Sequence, residues 1–204
     1  MIQRLKYLAR FILISLSLLG LSVSSVNAVT LNVVGGQLMG ADNVDVNGSL
    51  YDVDFMDGSC ISLFDGCDES ADFTFFNDSD ALAASQALLD QVLLDTPQGD
   101  FDSEPQLTNG CSGDGLCQIV TPFGLDGAGV ALLAEARNYA PGVFTDRSDF
   151  TSTPADTNTG VFFGATYAIW APVSPVPIPA AVWLFGTALV GLIGFGRRKS
   201  EHLV

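Results

Sequence analysis

Hydrophobic and polar residues alternate along the middle of this chain, and the alternation predicts β-strands. In residues 50–55 apolar side chains recur at every second position from Tyr51 onward. The pair Asn47-Gly48 stands just before them, and Asn-Gly supplies the positive φ angles that a type I′ turn requires. The pattern therefore predicts a β-hairpin that joins residues 44–46 to residues 50–55.

A helical spacing of apolar residues follows at positions 80–94. The apolar stripe of this predicted helix consists of Leu82, Leu89, Val92 and Leu93. The segment Asn77-Asp78-Ser79 offers side chains that can cap its N-terminus, and Pro97 lies just beyond its end. We therefore expect one main helix.

Shorter runs complete the predicted fold. Further strands are predicted at residues 31–34, 72–76, 117–121 and 160–170. The segment 130–139 fits either a helix or a strand, and polar loops are predicted at 99–115 and 145–159. One helix among strands that are joined by turns predicts an α+β fold with an antiparallel β-sheet.

The N-terminal segment 1–28 has the three parts of a secretory signal peptide. Arg4, Lys6 and Arg10 form a positive region, residues 11–21 are mostly apolar, and Ala28 offers a cleavage site. The alternative is an anchor helix that is not cleaved. The signal peptide predicts export through the Sec pathway, so that the exported domain spans residues 29–171.

The C-terminal segment has a proline-rich linker at 172–179, an apolar run at 180–196 and a basic tail at 197–204. Thr187 is the only polar side chain between residues 180 and 195. Sixteen helical residues span roughly 24 Å, against about 30 Å for a bilayer core. The run predicts a short transmembrane helix with its basic tail in the cytoplasm. A buried helix that ends a globular domain is the alternative.

The order of these C-terminal parts resembles the PEP-CTERM sorting signal in its VPLPA-type variant, found in Gram-negative bacteria that make extracellular polysaccharide. Ile178 stands where the main form of the signal has Glu. The resemblance implies a partner, an exosortase in the inner membrane, that removes the tail and releases or attaches the exported part at the cell surface. The residues that carry the motif are Val176, Pro177, Ile178, Pro179, Ala180, Arg197, Arg198 and Lys199.

Parts of the exported domain are also similar to uncharacterised proteins that carry the same tail. The similar strings lie at residues 44–55, 57–60 and 81–89. This second resemblance implies no biochemical activity.

The exported domain is strongly acidic. Residues 29–171 contain 22 acidic residues, while Arg137 and Arg147 are their only basic residues, which leaves a formal charge near −20. Such a surface repels nucleic acid and anionic headgroups. Many of the aspartates precede glycine, as turns require. Solubility and turns therefore explain the acidity, with cation binding as the alternative.

Four cysteines of the exported domain form two pairs of near neighbours. Exported proteins meet an oxidising compartment, where disulfides are stable. Short loops close easily, so we predict the pairs Cys60–Cys67 and Cys111–Cys117 among three possible pairings. A zinc site is not expected, because no Cys-x-x-Cys occurs and the domain lacks histidine.

One segment has the spacing of an EF-hand loop. Asn43, Asp45, Asn47 and Asp54 occupy its positions 1, 3, 5 and 12. Position 1 is Asn, position 12 is Asp rather than Glu, and both flanks resemble strands. A hairpin explains these residues better, so no cofactor is expected and calcium remains an alternative.

The residues for catalysis are scarce. His202 is the only histidine, and residues 29–171 contain no lysine, so that nucleophile–base schemes lack a base there. A glycosidase with paired carboxylates is one alternative. A carbohydrate-binding platform is another, for which the candidate aromatic residues are Tyr51, Phe55, Phe73, Phe75 and Phe76.

These observations predict an exported cell-surface or extracellular-matrix protein with a structural or interaction role. It is not expected to be an enzyme or to bind nucleic acid. Its expected partners are the exosortase, the inner membrane before processing, and extracellular polysaccharide. The alternative function is a calcium- or glycan-binding module at the cell surface.

Overall fold

A computed structural model describes residues 28–113, 115–162 and 164–174. The predicted signal peptide up to residue 27, the sorting motif, the transmembrane helix and the basic tail lie outside the described residues. Within the described ranges, no helix has the length and apolar character needed to cross a membrane. The first compact unit of the chain ends at Pro172, where the last strand also ends.

The described domain is built on a seven-stranded sheet. In chain order its strands are β1 (Thr30–Val34), β2 (Gln37–Val46), β3 (Ser49–Met56), β6 (Leu116–Leu125), β7 (Val130–Tyr139), β8 (Arg147–Pro154) and β9 (Ala165–Pro172). Their order across the sheet is β1-β2-β3-β9-β6-β7-β8. A separate two-stranded ladder pairs β4 (Asp95–Thr96) with β5 (Gly99–Asp100).

The α+β class is confirmed, but the prediction of a purely antiparallel sheet is wrong. Two antiparallel meanders, β1-β2-β3 and β6-β7-β8, are joined by β9, which runs antiparallel to β3 and parallel to β6. The chain leaves β8 at one edge and crosses β7 and β6 before it enters the centre of the sheet as β9. We call the described residues 155–162 and 164 the crossover loop.

The predicted hairpin is confirmed. Asn47 and Gly48 have φ angles of 53° and 85°, and Val46 pairs with Ser49 across the turn. A two-residue loop with two positive φ angles has the twist that the flanking strands need. The first strand of this hairpin is longer than predicted, because it begins at Gln37.

The main helix α2 (Asp78–Gln91) covers one face of the sheet. The side chain of Asn77 caps it by accepting a hydrogen bond from the Asp80 amide at 2.9 Å. Ala81 and Ala84 are fully buried, which places small residues where the helix approaches the sheet, and Leu88 is fully buried beside them. The helix is confirmed, although it ends three residues before the predicted boundary and Leu82 is only partly buried.

Two predicted segments are wrong. Residues 72–76 are not a strand: a 3₁₀ turn at Ser70–Asp72 leads into an extended segment whose alternate rings, Phe73 and Phe75, enter different cores. The predicted loop at 145–159 contains the edge strand β8. The segment that fitted either state, 130–139, is strand β7.

The sheet has a hydrophobic core on each face. The core under α2 includes Leu38, Ile119 and Trp170. The opposite face, which we call the second face, is covered by a short helix α1 (Cys60–Leu63), by Phe64 and Phe73, and by the start of the crossover loop. A sheet that is buried on both faces explains why β6 and β7 are apolar along most of their length.

Both predicted disulfides are present. Cys60–Cys67 and Cys111–Cys117 each have Cα atoms 5.5 Å apart, and all four cysteines are buried. The first closes the loop that follows α1 on the second face. The second ties the polar segment before β6 to the start of that strand. Both thus fix loops that have little regular structure of their own.

Candidate functional site

The calcium candidates do not converge in the hairpin. Asp45 lies on β2 and accepts a hydrogen bond from the Gly48 amide at 2.6 Å. Asp54 lies on β3, four residues beyond Leu50, the partner of Asp45, and hence about 13 Å farther along the ladder. No group of three or more His, Cys, Asp or Glu side chains in the described ranges is placed to hold a metal ion.

The other two calcium candidates have roles in the hairpin. Asn43 adopts a φ angle of 60° at a bulge, and its amide donates a hydrogen bond to Asp52 at 3.0 Å. Asn47 forms the first residue of the turn. The local hydrogen bonds of the hairpin therefore account for these polar residues without an ion.

The aromatic residues that were candidates for a carbohydrate platform mostly fill the core. Phe55, Phe73 and Phe75 are at most 4% exposed. Tyr51 is partly buried, and its ring centroid lies 5.1 Å from that of Phe75. Only Phe76 of the five is largely exposed. These rings therefore stabilise the fold and do not form a binding platform.

A pocket of about 200 Å³ opens instead on the second face of the sheet. Four adjacent strands form its floor, and the crossover loop forms one wall. Its lining residues are Gln118 and Val120 on β6, Leu133 and Glu135 on β7, Thr151, Ser152 and Thr153 on β8, Ala165 and Tyr167 on β9, and Thr157, Thr159 and Phe162 of the crossover loop.

A buried ion pair borders this pocket. Glu135 is only 2% exposed, and one of its carboxylate oxygens pairs with the guanidinium of Arg137. The other oxygen accepts a hydrogen bond from the Gln118 amide at 3.2 Å. Burial opposes the charge of Arg137, but the Glu135 carboxylate outweighs it and raises the pKa of the guanidinium. The guanidinium of Arg137 is therefore charged at neutral pH.

The two arginines of the domain lie opposite each other. Arg137 pairs in register with Arg147 across β7 and β8, and Glu135 pairs with Asp149. The guanidinium of Arg147 lies 5.6 Å from the centre of the Tyr139 ring, within the range of a cation–π contact. A domain with a charge near −20 thus places its two arginines on neighbouring strands, one against Glu135 and the other against Tyr139.

Tyr167 on the pocket floor has a buried hydroxyl next to the Cys60 backbone. The side chain is fully buried, and its ring packs edge-on against Phe64 with centroids 5.6 Å apart. Among the described residues, none forms a well-aligned hydrogen bond with the hydroxyl, although the Cys60 backbone lies close. Burial raises the pKa of Tyr167, and the Cys60 backbone offsets only part of that effect. The hydroxyl therefore remains protonated at neutral pH.

The crossover loop is held in place by hydrogen bonds. The Thr159 hydroxyl donates to Asp57 at 3.1 Å and accepts from the Gly58 amide at 3.1 Å. The Thr159 amide donates to the Gly58 carbonyl at 2.9 Å. Next to this anchor, Phe162 is 53% exposed at the pocket. The wall of the pocket is thus fixed before any ligand arrives.

These residues were missed by sequence reasoning. Glu135 and Arg137 stand two positions apart within the apolar run 130–139. Charges at that spacing in a strand lie on the same face, so they were a signal for a polar site on one side of a buried strand. That signal was lost because 130–139 could not be assigned to strand or helix.

The chemistry of the pocket suits binding. It combines an amide, a neutralised carboxylate, several hydroxyls and apolar surface, which together can position a small polar molecule. No protein-family model matches the chain, and comparisons with curated proteins and with solved structures find no match either.

Proposed function

We propose that this chain is an exported cell-surface or extracellular-matrix protein with a structural or interaction role. One observation carries the proposal. A compact, strongly acidic domain ends at Pro172, and the sequence that resembles the sorting signal begins four residues later at Val176. The two buried disulfides support it, since such bonds persist in oxidising compartments.

The proposed route begins with Sec export and cleavage after Ala28. The apolar segment 180–196 then holds the protein in the inner membrane, with Arg197, Arg198 and Lys199 on the cytoplasmic side. An exosortase-type enzyme removes the tail, and the domain reaches the surface or the matrix. Its high negative charge keeps it soluble after release.

Intact-mass measurement tests this route. The protein recovered from an exosortase-positive host should lack residues 1–28 and at least residues 180–204. Pro177→Ala combined with Pro179→Ala should block removal of the tail, and so should deletion of the exosortase. Pro175→Ala is the matched control outside the motif and should be processed normally. A mature protein that retains residues 180–204 in the exosortase-positive host would contradict the proposal.

The second candidate function is a binding module for glycans at the cell surface, and the pocket on the second face favours it. Calcium binding has less support, because the hairpin separates its candidate ligands. Calorimetric titration with calcium and with the polysaccharides of the host distinguishes these functions. A purely structural protein should give no heat with either.

A further inference from the structure

We propose that the pocket on the second face binds a single neutral sugar unit of a polysaccharide. This inference deepens the glycan-binding candidate and does not depend on how the tail is processed. It rests on the size of the pocket, on its charge balance and on the groups that line it.

The volume of the pocket limits the ligand to a small one. The volume is about 200 Å³. Sites for drug-sized ligands are larger, at roughly 300–1,000 Å³. One sugar ring with its hydroxyls fits this scale, whereas a nucleotide or a folded peptide segment does not.

The charge balance favours a neutral ligand. Glu135 is already compensated by Arg137, so the pocket offers no free carboxylate to recognise a cation. Arg137 is likewise compensated, and the domain around it has a charge near −20 that repels anions. Phosphates and uronic acids are therefore disfavoured.

The polar lining favours a ligand that carries both donors and acceptors. Gln118 on β6 presents a partly exposed amide, while Glu135 and Tyr167 on the neighbouring strands β7 and β9 are buried beside it. Thr151 and Thr153 add hydroxyls from the edge strand. A purely apolar ligand would strip water from these groups without replacing its hydrogen bonds. Sugar hydroxyls both donate and accept, and so can bond to the partly exposed side chains of Gln118, Thr151 and Thr153.

Phe162 supplies the apolar part of the site. Its ring is 53% exposed on a loop that Thr159 fixes to Asp57 and Gly58. A large exposed aromatic side chain beside convergent polar groups suits packing against the apolar face of a sugar ring. The hydrogen bonds of Thr159 anchor this part of the loop without a ligand, which lowers the entropy cost of binding.

The test uses the full chain expressed in an exporting host and titrated with glucose, galactose, mannose, N-acetylglucosamine and glucuronate. We expect weak, saturable binding of at least one neutral sugar by NMR or calorimetry, and no binding of glucuronate. Phe162→Ala should weaken that binding about tenfold, which is ~1.4 kcal/mol. Thr151→Val keeps the shape of the side chain, removes one hydroxyl and should weaken binding several-fold.

Phe76→Ala is the matched control, because Phe76 is an exposed phenylalanine away from the pocket. It should leave sugar binding unchanged. Thermal unfolding of each variant verifies that the fold is intact. The proposal is overturned if no neutral sugar binds, if glucuronate binds more tightly, or if Phe162→Ala and Thr151→Val both bind like the parent. Such a failure would leave the mass-based test of tail processing unaffected, so the two proposals can fail separately.

Discussion

Arg137 forms an ion pair with Glu135, whose side chain is almost completely buried at the pocket on the second face. Burying a charge is costly unless it is paired, so these two residues depend on each other. The second carboxylate oxygen of Glu135 accepts a hydrogen bond from the side-chain amide of Gln118. The pair therefore contributes to the stability of this region. It also leaves the Glu135 carboxylate at the pocket with a compensating cation.

Removal of the Arg137 side chain alone should destabilise the domain strongly. Arg137→Met leaves the Glu135 carboxylate buried without its cation, and we expect the free energy of unfolding to fall by about 2–4 kcal/mol. The double variant Glu135→Gln with Arg137→Met should recover much of that loss, because no uncompensated charge remains. Urea unfolding of the four members of this double-mutant cycle measures the coupling.

Arg147→Met is the matched control for this cycle. Arg147 is exposed and contacts the Tyr139 ring, so its removal should cost less than about 1 kcal/mol. Equal losses for Arg137→Met and Arg147→Met would show that the buried pair has no special role.

The two disulfides should stabilise the domain by similar amounts. They close short loops with sequence separations of 7 and 6 residues, for which the loop-entropy relation gives about 2 kcal/mol each. Cys60→Ala with Cys67→Ala, and Cys111→Ala with Cys117→Ala, should each lower the free energy of unfolding by at least that amount. A reducing agent should destabilise the parent, which has two disulfides, more than either double variant, which keeps one. If the parent and the double variants lost the same stability on reduction, the two bonds would not both be formed.

Gly40 lies where β2 comes too close to β3 for any side chain. A Cβ atom at this position would stand 2.0 Å from the backbone oxygen of Val53. Gly40→Ala must therefore displace the ladder next to the bulge, and we expect a loss of about 3 kcal/mol or more. Gly124→Ala on β6 is the control: its nearest neighbour would be a Leu132 methyl at 3.7 Å, and the change should be less than about 1 kcal/mol. Thermal and urea unfolding compare the two.

The parts of the fold that depend on local sequence were predictable. The pair Asn47-Gly48 identified the turn of the β2–β3 hairpin, and Asn77 identified the N-terminus of α2. The short spacings between cysteines identified the disulfide pairs. Each of these features is decided within about ten residues of chain, where turn geometry, capping and loop closure act.

The parts that depend on distant neighbours were not predictable. Strand β8 lies at the sheet edge, where few side chains are buried, so its sequence is as polar as a loop. The segment 72–76 has the alternation of a strand but no partner strand. The parallel pairing of β6 with β9 follows from the crossover loop, which no local pattern encodes.

The candidate site was missed for the same reason. Its polar groups come from β6, β7, β8, β9 and the crossover loop, and only the tertiary fold brings Gln118, Glu135 and Tyr167 together. Glu135 and Arg137 were the only local indication, because two charges within an otherwise apolar strand need a specific partner. The candidates chosen from the sequence were instead explained by turns and core packing.

A pH-dependent contribution should come from Asp102, which lies close to Asp146 at the protein surface. Burial, then the neighbouring carboxylate of Asp146, raises the pKa of Asp102 above its ordinary value of 3.8. The native state therefore holds the proton more tightly than the unfolded state, and stability decreases as pH rises from 3.8 through the raised pKa. At neutral pH the ionised side chain is destabilising.

Asp102→Asn should consequently stabilise the domain at pH 7, and the gain should shrink as the pH falls toward 3.8. Because Asp102 is only partly buried, solvent screens its interaction with Asp146, and we expect the gain to stay below about 1 kcal/mol. Asp95 serves as a control of opposite sign. Hydrogen bonds from the Ser103 side chain and then its backbone lower the pKa of Asp95. The stability that Asp95 contributes is therefore present above the ordinary value of 3.8 and lost as pH falls through its lowered pKa.

Urea unfolding between pH 3 and pH 8 should show Asp95→Asn less stable than the parent at neutral pH and Asp102→Asn more stable. The same sign for both variants would contradict this account of the acidic surface.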